Sequence, residues 1–198
     1  MSKITSAAAP KAARHSMTTR TLAGCALLAA MSVVLARFVI PMPAVDQRFS
    51  LEAIPIFIAG MLFGPIPGAL VGFSADLVGC LFSGYGYNPL FCVPPILYGL
   101  SAGLFRPLLL KRTTPLTIGL SFLPPVALGS ILYQSATLAY VYGKGAFLPN
   151  FLVKLSTRSV QFAITFVLDV LVVYLLYKSK VFTAVRLWPA AQKTEDKE

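Results

Sequence analysis

Between Leu22 and Tyr177 one long apolar run follows another, with few charged residues among them. A water-soluble helix needs a polar face, and these runs are too apolar all round to offer one. With 57% hydrophobic residues, 12% charged residues and a mean hydropathy of +0.76, the chain reads as an integral membrane protein, an all-α bundle in one domain. A membrane domain over 21–178 is expected, with an N-terminal tail over 1–20 and a C-terminal tail over 179–198. The net charge of +10 does not point to nucleic acid. Most of the cations sit in tails and loops beside apolar spans, where they set orientation and meet anionic lipid.

Four spans mark themselves: Leu22 to Ile40, Pro89 to Leu110, Leu116 to Val141 and Phe151 to Tyr177. Each is long enough for a hydrocarbon core of about 30 Å at about 1.5 Å per residue. The first is too long for a signal-peptide core and reads as a retained helix. Ala53 to Phe82 is ambiguous, since one helix of that length would run to about 45 Å, while Gly64-Pro65-Ile66-Pro67-Gly68 breaks it into two short ones. Charge decides the parity. Six transmembrane helices with the N-terminus inside put twelve cations on the inner side and five outside; five spans put seven inside and ten outside. Six is the better count, and it requires the second and third helices to be short, tilted or covered by their neighbours.

Several chemistries are missing. No GxxxxGK[ST] phosphate loop occurs, and the single histidine, His15, lies in the polar tail. Cys25, Cys80 and Cys92 sit in apolar runs without a CxxC pair and read as small core residues. No catalytic, metal or cofactor site is expected. A protein that binds and moves a ligand fits better than an enzyme.

The polar residues inside the spans carry that expectation. Asp76 lies in the run GPIPGALVGFSADLVGC, and a carboxylate in mid-membrane costs about 2.5–3.5 kcal/mol on insertion scales. It therefore faces the bundle interior, as a structural acceptor or as a ligand contact. In the sixth helix Lys154, Arg158, Gln161 and Thr165 share one face. Lys154 is close enough to the end to snorkel; Arg158 lies about two turns in, where its planar fork suits a carboxylate. Tyr133 and Gln134 in the fifth helix, with Tyr85 and Asn88 in the loop after the third, add aromatic and amide groups at the outer ends. Together they predict an outward-facing pocket with aromatic walls, a carboxylate floor and a cationic rim, suited to a flat, anionic, hydrogen-bonding ligand. Asp169 lies deeper, expected to pair with a hydroxyl or with Lys178. Ala26 and Ala30 form a small-xxx-small pair on the first helix, for packing in the bundle or docking on a separate membrane subunit.

The stretch RFSLEAIPIFIAGMLFGPIPGALVGFSADLVGCLF from Arg48 to Phe82, followed by GYGYNP and ILYGL, resembles the folate-specific S components, the substrate-binding membrane subunits of energy-coupling factor (ECF) transporters. That resemblance implies a six-helix S-component fold in a bacterial plasma membrane with both termini cytoplasmic. It also implies a high-affinity vitamin site near the outer surface, and partnership with a transmembrane coupling subunit and two cytoplasmic ATPases. On this basis Ala26 and Ala30 would meet the coupling subunit, Asp76 and Asn88 would face the pterin, and Arg48, Lys154 or Arg158 would lie near the glutamate tail. The alternatives are an S component for another vitamin or precursor, and a membrane assembly or scaffold protein without a small-molecule site.

Overall fold

The computed structural model describes residues 19–37, 40–41, 48–49, 51–83, 87–111, 113–143 and 147–179. Of the tails, residues 1–18 and 180–198 lie outside the described residues. The chain order is α1 (Thr19–Leu35), α2 (Ala53–Phe63), α3 (Pro65–Ser83), a 3₁₀ turn (Pro89–Cys92), α4 (Val93–Leu104), α5 (Arg106–Lys111), α6 (Pro115–Pro124), a π-helical stretch (Pro125–Tyr133), α7 (Gln134–Tyr142) and α8 (Phe147–Lys178). Between α1 and α2, Ile40–Pro41 pairs antiparallel with Arg48–Phe49. The six expected membrane segments are present as apolar helices. Three of them, α3, the continuous run Pro115–Tyr142 and α8, are long and apolar enough to cross a membrane by themselves.

The ambiguous region resolves at one residue. Gly64 adopts φ 104°, a left-handed value that glycine takes without strain, and its N–H donates to the Gly60 carbonyl, closing α2. Pro65 and Pro67 do not break a helix; they lie in the first turn of α3, where a missing N–H costs nothing. At 11 residues α2 is about 16 Å long, and its apolar residues lack any polar face. Nine consecutive residues, Ile54 to Leu62, are buried, so other helices cover it on all sides, as the short-helix reading requires.

The fourth predicted helix is split. After Leu104 the chain turns at Phe105 and restarts as α5, with Pro107 in the new first turn. The fifth is interrupted by the π-helical stretch that begins at Pro124-Pro125.

Two layers result. α3 packs on α1, α2, α4 and the 3₁₀ turn; α8 packs on α2, α6, the π stretch and α7. α2 and α4 touch both groups. Their shared core holds Phe57 stacked on Phe122 at 3.8 Å between ring centroids, with Tyr98 edge-on to Phe122 at 6.0 Å. On the other side, α2, α3 and α4 meet along glycines. A Cβ on Gly99 would run into the Gly68 carbonyl, one on Gly60 into the Gly99 carbonyl, and one on Gly72 into the Pro95 carbonyl. The backbones therefore lie in direct contact, the arrangement small residues permit in membranes.

Asp169 departs from expectation. It is 1% exposed and neither carboxyl oxygen has a hydrogen-bond partner, while Lys178 is exposed at the end of α8. A buried ionisable group without partners is a net cost to the fold. Asp169→Asn is expected to stabilise the protein by about 1 kcal/mol, seen as a rise of a few degrees in thermal unfolding in detergent. A clear fall would mean that the carboxyl has a partner in the membrane-embedded protein.

Candidate functional site

Polar side chains gather in two places. One is a hollow of about 170 Å³ between the C-terminal end of α1, the start of α2, and α3, lined among others by Ser32, Arg37, Glu52, Asp76 and Cys80. Asp76 is partly buried there, and its Oδ2 accepts a hydrogen bond from the Cys92 thiol at 2.7 Å. The Tyr87 hydroxyl lies 3.1 Å from the same sulfur. Arg37 donates through Nη2 to the Gly79 carbonyl at 2.7 Å, tying α1 to α3, and Ser32 Oγ donates to the Glu52 carbonyl at 2.8 Å. The carboxylate in the apolar run is thus held by a thiol from the start of the fourth membrane segment and turned toward a polar hollow.

The other gathering lies where α4, the π stretch, α7 and α8 face one another. Tyr98 and Ser130, both buried, hydrogen-bond through their hydroxyls at 3.0 Å. The Arg158 guanidinium carbon stands 5.3 Å from the Phe162 ring centroid, a cation–π distance. Arg158 Nε is buried without a hydrogen-bond partner, and among the described residues no acid pairs with Arg158. Gln161 and Thr165 continue the buried stripe of α8, and Ser135 Oγ in α7 is buried without a partner. Lys154, Tyr133 and Gln134 are partly buried.

The predicted residues therefore divide. Lys154, Arg158, Gln161, Tyr133 and Gln134 fall on the α7–α8 side. Asp76 lines the other hollow, which Arg158 does not line. α2 packs on α3, on α4 and on α8. Asn88 caps the 3₁₀ turn, its Oδ1 accepting from the Leu90 N–H at 3.1 Å. The side chain of Arg48 and all of Tyr85 lie outside the described residues. Ala26 and Ala30 are exposed along α1. Among the described residues no group of three His, Cys, Asp or Glu side chains is placed to hold a metal.

Sequence reasoning missed Arg37, Cys92, Tyr98 and Ser130. Cys92 looked like a core residue because its role depends on Asp76, 16 positions away. Tyr98 and Ser130 were legible only as polar groups in apolar spans.

Residues 16–179 match the profile of the ECF-type riboflavin transporter S component. The chain belongs to that family. It is a multi-pass membrane protein, and its family is one of transporter components rather than enzymes. This S component superposes on the crystal structure of FolT bound with folic acid with a TM-score of 0.69, at 29% identity, covering 82% of this chain and 96% of that one. It also matches the crystal structure of the S-component for biotin from an ECF-type ABC transporter, with a TM-score of 0.58 at 20% identity, covering 82% and 95%; at that identity the likeness concerns the fold alone. A shorter match is to the uncharacterized protein MG098 homolog of Mycoplasma pneumoniae, 38% identical over 64 residues. That stretch is 32% of this chain and 13% of the length of that relative.

Proposed function

We propose that this S component binds folate from the outer side of the membrane and is the substrate-specificity subunit of an ATP-driven ECF importer, with both termini cytoplasmic. The observation that carries the reading is the half-buried guanidinium of Arg158, whose Nε is buried without a hydrogen-bond partner and which no acid among the described residues pairs with. A cation partly withdrawn from water without an anion is costly, and a ligand carboxylate received by its planar fork would offset that cost. Folate brings two carboxylates in its glutamate tail. Riboflavin brings none. The likeness to FolT at 29% identity supports the same ligand.

A flavin ligand is the second reading, favoured by the family profile itself. Tyr98, Phe162, Gln161 and Ser135 offer the aromatic and neutral polar groups that a flavin needs. The two readings separate in a retention assay. Vesicles carrying the full chain are expected to retain labelled folic acid and to release it to excess unlabelled folic acid but not to riboflavin. Displacement by riboflavin alone would assign the flavin.

For the partners, the exposed Ala26 and Ala30 on α1 support docking on a transmembrane coupling subunit that works with two ATPases, since small side chains let a second helix approach closely. The double variant Ala26→Leu, Ala30→Leu is expected to keep folic acid binding within about twofold while uptake in cells falls at least about tenfold, because the bulk lies on the lipid-facing side of α1. Uptake at the wild-type rate would remove α1 from the docking face.

A further inference from the structure

The fifth membrane segment departs from α-helical geometry around a buried side-chain bond. Pro124 and Pro125 both lack a backbone N–H, so two carbonyls one turn earlier lose their α-helical donors. From Pro125 to Tyr133 the backbone takes the wider i→i+5 pattern, and the stretch closes where the Gln134 N–H donates to the Gly129 carbonyl, five residues back. Gly129 brings this stretch against α4; a Cβ there would stand 3.1 Å from Leu97 Cδ1 and 3.5 Å from Pro94 Cα. One residue on, Ser130 Oγ meets the Tyr98 hydroxyl at 3.0 Å, the two residues being 2% and 6% exposed.

We propose that the Tyr98–Ser130 bond is a clasp that sets the register of the π-helical stretch, and that this register aims the α7 residues which line the ligand site. Tyr98 and Ser130 act as positioning residues. The proposal rests on the reading of the α4–α7–α8 side as the vitamin site. Gaining or losing one residue of register through i→i+5 bonding turns everything after it by about 100° around the helix axis. In the observed register Ser135, Thr137 and Ala139 are buried, and Gln134 stands at the junction. Tightening by one residue would carry Ser135 out of its buried place and replace it with a neighbour. A π stretch is a rare backbone state that persists only when its surroundings hold it. Loss of either hydroxyl leaves the other buried without a partner and frees the stretch from α4.

The test uses the purified full chain in detergent, wild type and the variants Tyr98→Phe, Ser130→Ala and both together. Two quantities are measured: folic acid affinity by calorimetry, and amide hydrogen exchange over 125–142 by mass spectrometry without ligand. Each single variant is expected to weaken binding about tenfold, the double variant no more than either single one, and exchange over 125–142 to rise in all three. Thr113→Ala, which removes a hydroxyl bonded within its own turn at the inner end, is expected to change neither quantity. Additive losses, or weaker binding with unchanged exchange, would make the two hydroxyls ligand contacts and overturn the clasp. Faster exchange with unchanged affinity would cut the link to the ligand and overturn it as well. If the wild type takes up riboflavin and not folic acid, the folate reading fails while the same comparison, run with riboflavin, still decides the clasp. If it takes up neither, exchange alone decides, and unchanged exchange overturns it.

Discussion

Arg158→Ala is expected to lower folic acid affinity at least about a hundredfold. A hydrogen bond to a charged group contributes about 1.5–3 kcal/mol, and a guanidinium fork receives a carboxylate through two of them, so losing both removes about 3 kcal/mol or more, the equivalent of two decades in Kd. Nothing else described near the guanidinium makes up the difference, since its Nε is unpartnered and its one ring contact is Phe162. Arg158→Lys keeps the charge and loses the fork, and is expected to cost about tenfold. Pteroic acid, which lacks the glutamate tail, is expected to bind wild type and Arg158→Ala alike. Val160→Ala, an exposed position on the same helix, is expected to bind as wild type. Calorimetric titration of the four proteins checks the series, and unchanged folic acid affinity in Arg158→Ala would remove Arg158 from the site.

Gly99→Ala is expected to destabilise the fold by about 3 kcal/mol or more. Overpacking in a close-packed interior costs about 1–3 kcal/mol when side chains can shift. Here the new Cβ meets the Gly68 carbonyl and the start of Ala69, both backbone. The only response open to the protein is to separate α3 from α4, which loosens the contact that also seats Gly60 against Gly99. At about 2–4 °C per kcal/mol for a chain of this size, thermal unfolding in detergent is expected to fall by about 6–12 °C. Gly79→Ala on α3 is the control, because a Cβ there meets nothing within 4 Å. Equal melting of Gly99→Ala and wild type would show that the three backbones do not lie in contact.

The helix count could be read because it follows from two properties that need no tertiary knowledge. Lipid demands apolar length, and the distribution of seventeen cations favours an even number of spans over an odd one. The break after α2 was visible in Gly64 and its prolines, although the prolines turned out to start α3 rather than to interrupt a helix. On α8 the spacing placed Arg158, Gln161 and Thr165 on one face, and Gln161 and Thr165 are buried there. That face was legible because helical period is local. The distribution of polar residues between two places was not legible, because it depends on α2 being buried on all sides and on which helices it packs against. A run such as AIPIFIAGMLF announces burial but not its neighbours. The partner of Asp76 was hidden for the same reason, and Pro124-Pro125 signalled a disturbed helix without saying that the backbone would widen rather than kink.

The central claim is that the outer half of this S component holds a vitamin through an anionic tail. Side-by-side calorimetric titration of the purified full chain with folic acid and with riboflavin tests it most directly. Stoichiometric heat with folic acid and none with riboflavin is the predicted result. Tight riboflavin uptake with no response to folic acid would contradict it and leave the Arg158 guanidinium without the partner assigned to it.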